Sequence, residues 1–524
     1  MSSALQLAQL GVGLAGYLRE RPTLDDALAA LRDRVDRREE RFLDAARRLV
    51  YAHERNPYRR LLEWAGCKLG DLEAGVRSDG LDRTLERLRE AGVHVTLDEL
   101  KARRPVERHG LSFAPHAADF DNPTFMGRGI VGATSGTGAP RARTAIDLVG
   151  LAEEAANELV LYSIHGVAAA PLALWLTPPP GLAGIRNVLV NARFGRATER
   201  WFTPVLPTHA GATRTQRLAT RAIVAGCRMR GLRVPRPELV GPDSAIEVAK
   251  WLAHTKPRML STFASPAVRA AVAAADGGLD VHGAVVFSSG ESLTHRRRRT
   301  IEGAGLTVHS RYVTAEAGVI AGACGSGAGA AAMHVADPMH VYVDRLAVVP
   351  GGEPAADGTV PLLFTSLSPS SGKVLLNTSL GDRGRLERSP CPCLFGQVGM
   401  SLWTGAIRSD ERLTGEGVAI LLSEVDEIVA RLVEASGGAP DDYQFRETVD
   451  ESGLSSLVIA VSPDVSVDET ALLAAVLESL RGRGPVGGLT AELWDGAGAV
   501  RVERERPRPT PGFKVPRYVR VEAP

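Results

Sequence analysis

Four sulfur and nitrogen donors have the types and spacing to hold a metal. Cys324 and His334 lie in one segment, and Cys391 and Cys393 flank Pro392 in another. Three thiolates and an imidazole are the donor set of a closed tetrahedral zinc site, so the two segments read as halves of one Cys3His centre. The Cys-Pro-Cys spacing is tighter than the common two-residue gap. The other reading is of cysteines buried as small hydrophobes, which is also how Cys67 and Cys227 read. His340 is an alternative fourth ligand or a plain strand residue.

A second stretch suits a different ligand. Gly132 to Thr144 reads GATSGTGAPRART. Small residues let the backbone approach a ligand closely, and consecutive N–H groups with hydroxyls can wrap phosphate oxygens. Arg141 or Arg143 adds positive charge. A surface turn has the same composition, and the Gly-Lys-Ser/Thr ending of a Walker loop is absent. Gly127-Arg-Gly-Ile-Val-Gly132 matches the dinucleotide fingerprint in letters only. A poor strand, DNPTFM, precedes it and a Pro-containing loop follows, so its context fails. The basic run His295–Arg299 reads as a solvated helix face, without the aromatic interleaving of a single-strand binder. His165 and Trp201 read as core.

Elements must carry these residues. Thr23 and Asp26 make a capping-box start for a helix over 23–50, in which Leu24, Leu28, Leu31, Val35, Phe42 and Leu49 recur at helical spacing. Short helices follow to about residue 104. Beyond about 130, strands are predicted at 284–287, 306–313, 362–367 and 374–376, separated by helices, which is the pattern of an α/β core. After residue 404 the texture changes to helix 423–434, strand 457–461, helix 468–481 and strand 499–503. That is enough for an α+β unit of its own. With the boundary near Trp403–Gly405, the expected units are 1–404 and 405–524. No internal repeat interrupts them.

Composition bounds the function. The chain has 524 residues, 44% hydrophobic and 23% charged, with a formal net charge of +1. No global field draws it to nucleic acid or a membrane surface, and no apolar run approaches the roughly 20 residues of a spanning helix. Five cysteines argue against a disulfide framework and for a reducing compartment. The N-terminal MSSALQLAQLGVGLAGYLRERP lacks a basic start and a cleavage site, so no signal peptide is expected. The expectation is a soluble cytoplasmic protein.

Taken in order, five segments resemble the adenylate-forming enzymes. TSGTGAP (134–140) resembles their phosphate loop, and Ser289-Gly290-Glu291-Ser-Leu resembles their GGEPL turn. Tyr312-Val-Thr-Ala-Glu316-Ala-Gly318 resembles YGSTEAG, Gly381-Asp382-Arg-Gly-Arg-Leu resembles TGDxGxL, and Ile407-Arg408-Ser-Asp410-Glu411 resembles GRxDD. NPYRRLLEWAG (56–66) and Pro390-Cys-Pro-Cys393 resemble the phenylacetate–CoA ligase-like branch. The resemblance covers nearly the whole chain. Each motif is weak alone, but the ordered set is specific.

The resemblance implies a large N-terminal α/β domain of β-sheets and helices, with a small mobile α+β C-terminal domain. It implies activation of a carboxylic acid by ATP and Mg2+ through an acyl-adenylate. The acyl group then goes to a thiol, of coenzyme A or of the phosphopantetheine of an acyl carrier protein. The acid is expected to be small and aromatic or otherwise hydrophobic, and a homodimer is open. Thr134, Ser135, Gly136 and Thr137 would hold the triphosphate, against the surface-turn reading. Glu316 would bind Mg2+ as a hard oxygen donor, Asp382 would accept from the ribose hydroxyls, and Arg408 would support the nucleotide. Tyr312 would stack near adenine, with Ser289, Gly290 and Glu291 lining that pocket through backbone. Asp410 matches the hinge, where a few residues absorb domain rotation. Some relatives in the branch look to carry a zinc at the matching cysteines.

In PRPTPGFKVPR (507–517), Lys514 matches the lysine that the C-terminal domain delivers to the adenylation site. FKVPRYV also resembles a strand preceding that lysine motif in other members, an alignment that leaves the role unfilled. The chain departs from the pattern in two places. Its phosphate loop is one residue short, and Ala315 stands where the Thr of STE is usual, beside Thr314. Loss of a phosphate-facing hydroxyl costs on the order of 1 kcal/mol or more. Two other readings stay open: adenylate transfer to an amine, hydroxyl or other nitrogen acceptor, and a degenerate non-catalytic binding protein of the same fold.

Overall fold

One large sheet is parallel over half its width and antiparallel over the other half, and the join between the halves carries Tyr312 and Glu316. The structure is a computed structural model. It describes residues 13–123, 130–133, 143–146, 148–178, 181–205, 214–229, 231–254, 257–314, 316–326, 332–336, 340–343, 358–366, 371–409, 412–509 and 515–522.

Among the N-terminal helices is α1 (Leu24–Asp36), in which Thr23 and Asp26 form the capping box read in the sequence. Helix continues over Arg38–Ala45 into a π-helical turn, Ala46–Tyr51. The one-turn helix α2 (Leu97–Leu100) comes later. Tyr58, Leu85, Phe120 and Leu376 belong to one buried cluster, which joins these helices to the antiparallel half of the sheet. Tyr58 Oη lies 2.5 Å from Thr378 Oγ1, so the polar end of that buried ring is satisfied.

The sheet strands are β1 (Leu172–Trp175), β2 (Thr198–Thr203), β3 (Pro237–Leu239), β4 (Arg258–Phe263), β5 (Ala284–Ser289), β6 (Thr307–Thr314), β7 (Gly318–Gly322), β8 (Met333–Val335), β9 (His340–Val343), β10 (Val360–Ser366), β11 (Leu375–Arg388) and β12 (Leu402–Ser409). Their order is β9-β10-β11-β12-β8-β7-β6-β5-β4-β1-β2-β3. Pairings from β6 to β3 are parallel. Those from β6 to β9 are antiparallel. Helix α3 (Leu148–Ile164) precedes the parallel strands in sequence, and α4 (Ala183–Arg193), α5 (Ala264–Asp276) and α6 (His295–Gly303) lie among them. Two separate cores result. One gathers Leu159, Val188 and Phe287, the other Ala271, Val286 and Ile301. Adjacent residues Val286 and Phe287 of β5 point to opposite cores, as the two-residue strand period requires. Burial on both faces leaves the apolar run Ala284–Phe287 of β5 continuous rather than alternating, while β4 carries the buried polar residues Ser261 and Thr262.

The four strands expected in this region are present, but β11 is far longer than 374–376. GDRGRLER has a loop's composition, yet β10 and β12 flank it and take its backbone hydrogen bonds, so tertiary pairing overrides propensity. Likewise β12 runs through residues 403–405, where the composition shift had suggested a boundary. The last strand of the large sheet ends at Ser409.

Beyond it, a hairpin (Arg412–Gly415 with Val418–Leu421) and helices Leu422–Ala435 and Glu469–Gly482 accompany a four-stranded sheet. Its strands are β13 (Tyr443–Val449), β14 (Ser455–Val461), β15 (Val500–Arg504) and β16 (Tyr518–Glu522), ordered β15-β14-β13-β16. Val429, Phe445, Ile459, Leu480 and Trp494 give this C-terminal unit its own core. Among the described residues, no helix is long and apolar enough to cross a membrane.

Candidate active site

Tyr312 donates a hydrogen bond from Oη to Asp382 Oδ2 at 2.5 Å. The two residues sit on β6 and β11, with β7, β8 and β12 between them. In a flat sheet β6 and β11 would be about 19 Å apart, at roughly 4.8 Å per strand. No tyrosine and aspartate could bridge that gap, so the sheet curls here and brings its two halves together. Phe364 meets the Tyr312 ring edge-on at 6.1 Å. Asp382 is buried, and its strand register sets it opposite Ser409, with Arg383 opposite Arg408. Thus the expected ribose acceptor, the expected adenine-side aromatic and the expected junction arginine arise from strands that meet at one edge.

Glu316 lies in the short turn between β6 and β7 and is buried. Its Oε1 receives Lys101 Nζ at 2.7 Å, and each side chain is 6% exposed. The Glu316 carbonyl accepts from Lys373 N at 3.1 Å, and Thr314 Oγ1 accepts from Ala317 N at 3.2 Å, so the turn is held at both ends. A carboxylate is the hard-oxygen donor that Mg2+ requires, and Glu316 fits that demand with part of its charge already matched by Lys101. Nothing in the sequence singled out Lys101. A lone lysine after a one-turn helix normally reads as solvated.

The turn after β5 is also anchored by a side chain. That of Glu291 is fully buried. The carboxylate pairs with Arg297 at 3.1 Å and accepts from Ser265 Oγ at 2.5 Å and Gly417 N at 2.8 Å. Gly417 is at φ +78, and a Cβ there would lie 1.9 Å from the Phe263 ring, so only glycine permits this close approach. Ser292 Oγ donates to the Ile407 carbonyl at 2.6 Å, joining the same turn to β12 beside Arg408. Arg297 corrects the reading of His295–Arg299 as a solvated face. It is 3% exposed and donates to the Gly453 carbonyl and Ser455 Oγ of the C-terminal unit, at 2.8 and 3.1 Å. A basic run has this composition whether or not one member is buried against a partner.

Cys324, His334, Cys391 and Cys393 come together, with all four ligand atoms within 4.8 Å of one another. A tetrahedral zinc with Zn–S bonds of about 2.3 Å has edges of about 3.8 Å. Cys324 Sγ and Cys391 Sγ are 3.9 Å apart, and Cys393 Sγ is 3.1 Å from His334 Nε2. The donor set and its dimensions therefore fit a structural zinc. Hydrogen bonds from Cys324 and His334 pull the Cys393 thiol down to about 3, whereas its bond to Cys393 and burial push Cys324 up. His334 sits in β8 with its ring 3.7 Å from that of Trp403. Beside the cluster, His165 stacks on His309 at 3.6 Å and its Nε2 lies 2.8 Å from the Ala323 carbonyl. Trp201 is core, as expected, with Nε1 donating to the Leu176 carbonyl.

The strands flanking the Gly/Ser/Thr loop pair antiparallel, with Ala133 opposite Arg143. Thr134, Ser135, Gly136 and Thr137 lie outside the described residues, as do Asp410 and Lys514.

No family model matches the sequence. A search of curated proteins by sequence finds no match. Solved structures do match in three dimensions. A 2-hydroxyisobutyryl-CoA ligase, in complex with 2-HIB-AMP and CoA in the thioesterification state, aligns with a TM-score of 0.59 at 19% identity, over 94% of this chain and 90% of that one. The chain has the fold of an acyl-CoA ligase. A malonyl-CoA ligase aligns at 14% identity and TM-score 0.43, over 72% of this chain and 71% of that one. The o-succinylbenzoate CoA synthetase of Bacillus subtilis aligns at 12% identity and TM-score 0.42, over 74% and 67%.

Proposed function

We propose that the chain is an AMP-forming acid–thiol ligase of the phenylacetate–CoA ligase-like branch. The observation that carries this reading is the convergence of Tyr312, Asp382 and Arg408 at the curled edge of the sheet, with Glu316 in the turn that ends the Tyr312 strand. That convergence is what an ATP site needs: an ionised acceptor for ribose, an aromatic beside it, and a hard oxygen donor for Mg2+. The fold relative with an acyl-AMP and CoA supports it.

In this reading a carboxylate oxygen of the acid attacks the α-phosphorus of ATP. The bond to the pyrophosphate oxygen breaks, giving acyl-AMP and pyrophosphate. A thiol sulfur then attacks the acyl carbon, its proton leaves to solvent or base, and AMP departs. The protein's contribution is positioning and electrostatic stabilisation of charge on phosphate oxygens. Asp382 orients the nucleoside, with its own position fixed by Tyr312. Thr134–Thr137 would cradle the triphosphate, Glu316 would hold Mg2+, and Lys514 would act from the C-terminal unit, with Asp410 as its hinge. The unit boundary falls after Ser409. When bound there, Mg2+ would supply positive charge against that developing on the phosphate oxygens. Zinc held by Cys324, His334, Cys391 and Cys393 would be structural, pinning the loop after β7 to the segment before β12. The acid is aromatic or hydrophobic, and the thiol belongs to coenzyme A or a carrier protein.

Pyrophosphate release with ATP and Mg2+ over a panel of aryl and alkyl carboxylic acids, without thiol, tests the reading. Acid-dependent release supports it and names the substrate class. ATP binding with no release for any acid favours the degenerate binding protein instead.

A further inference from the structure

Lys101 is buried in a place where its sequence surroundings offer no reason for it. It is 5% exposed, and a lysine so placed needs an anionic partner. The structure spends several interactions on holding it there. Thr96 and Glu99 cap α2 reciprocally, with Glu99 N donating to Thr96 Oγ1 at 3.3 Å and Thr96 N to Glu99 Oε2 at 2.8 Å. Arg108 clamps Glu99 at 2.8 Å. Val95 exchanges backbone hydrogen bonds with β11, taking Ser379 N at 2.8 Å and giving its own N–H to Asn377 at 3.2 Å. That contact is three residues before Asp382. Immediately after Lys101, Ala102 adopts φ +55, a left-handed conformation that costs a non-glycine residue on the order of 1 kcal/mol. Such strain persists where the surrounding structure over-determines the backbone, and the result here is a lysine turned inward beside Glu316.

The ammonium has three N–H donors. Among the described residues, Glu316 Oε1 at 2.7 Å is the acceptor for one of them, and no other hydrogen bond from Nζ is present. A buried charged donor left unmet is expensive. The neighbouring buried lysine, Lys373, is committed elsewhere, with Nζ on Asp121 at 2.7 Å and on the Ala117 carbonyl at 3.0 Å. Lys101 is therefore a fixed positive charge at the carboxylate of the site, with hydrogen-bonding capacity that the described protein groups do not use.

We propose that Lys101 is a nucleotide-binding residue whose remaining donors take an oxygen of the ATP polyphosphate during acid activation. The proposal rests on the reading of Glu316 and Asp382 as parts of an ATP site. It places a phosphate-facing lysine in the large unit, present whatever the orientation of the C-terminal unit. Lys101 also matches the charge of Glu316, which would otherwise repel the polyphosphate at close range.

Calorimetric titration of wild type, Lys101→Met and Lys101→Arg with ATP plus Mg2+, and separately with AMP, tests it. Loss of a charged hydrogen bond should weaken ATP binding of Lys101→Met by about 10- to 100-fold, leave AMP within about twofold, and be largely restored by arginine. Because Lys101→Met removes the ammonium beside the buried Glu316 carboxylate, it can fail to fold. The double variant Lys101→Met/Glu316→Gln compared with Glu316→Gln alone then isolates the lysine, with the same ATP-selective loss expected. Equal losses for ATP and AMP overturn the proposal in favour of a structural ion pair. Wild type that binds ATP while Lys101→Met binds it equally overturns the lysine alone. Wild type that binds neither nucleotide overturns the reading of the site, and this proposal with it.

Discussion

Asp382 and Tyr312 are 70 residues apart in sequence and 2.5 Å apart at their polar tips. Each was legible as part of a short motif, because a Gly-Asp turn and a Tyr near a Thr-Ala-Glu run keep their letters. Their contact was not legible, since it depends on a curl across five strands. In the proposed site, Asp382→Ala removes the ribose acceptor and should abolish ATP binding by calorimetry; unchanged affinity would sink the role. Tyr312→Phe keeps the ring and loses one bond to a carboxylate, worth about 1.5–3 kcal/mol, so ATP affinity should fall by about tenfold or more. His309 offers a pH test. Burial, with His165 and Arg298 nearby, pushes it down to about 3. The unfolded chain therefore binds the proton first, and stability falls as pH drops from about 6.5 towards 3. His309→Phe should lose about 1 kcal/mol less than wild type between pH 7 and pH 5 in urea melts, a figure discounted for partial solvent access. Parallel pH profiles would show that the stacked pair titrates normally.

Among the elements, the Cys3His cluster brings the segment after β7 against the segment before β12. Cys324 follows β7, His334 lies in β8, and Cys391 and Cys393 precede the helical turn Leu394–Gln397. The donors were legible because cysteine and histidine are rare and their chemistry is narrow. Only the sheet order, with β8 between β7 and β12, explains why they meet. The elements that propensity misjudged were those whose hydrogen bonds come from distant partners. β11 was read too short because Gly and Arg fill its second half, and α6 was read as solvated because Arg297 binds residues 156 and more positions away. Elemental analysis of protein purified without chelator should find about one zinc per chain. Cys393→Ser should lose that metal and lower the melting temperature, because a structural zinc contributes folding free energy directly. Metal-free protein that melts like the metal-loaded form would leave the four residues as packed, reduced cysteines and a core histidine.

The whole molecule is a large unit and a C-terminal unit that meet through hydrogen bonds and ion pairs, and in the proposed ligase that joint would govern the order of the two half-reactions. Arg269 pairs with Glu416 at 2.8 Å, Thr300 Oγ1 donates to the Ser452 carbonyl at 2.8 Å, and Arg296 donates to the Asp450 carbonyl at 3.0 Å. Arg297 and Gly453 fit closely enough that a Cβ on Gly453 would lie 2.8 Å from the arginine side chain. Val205 packs into the C-terminal core and Leu454 against the core of Ala271, Val286 and Ile301, but the hydrogen bonds of such a joint can break and re-form, which would suit a unit that reorients between the two half-reactions of the proposed ligase. Removing Arg297 would strand Glu291 as an unpaired buried charge and destabilise the protein by about 3–5 kcal/mol, confounding any kinetic reading. Arg296→Ala with Thr300→Val avoids that cost, because both remove hydrogen bonds at the edge of the contact, each worth about 1 kcal/mol, with Thr300 also giving up its bond to the Arg296 carbonyl. In the proposed ligase these two changes act mainly at the joint, so they should shift the ratio of acyl-AMP formation to thioester formation by roughly tenfold while the melting temperature of the large unit holds. Single-turnover measurement of both half-reactions checks this. An unchanged ratio would mean that the contact is a resting dock, and that the rates are set by the chemistry on either side of it.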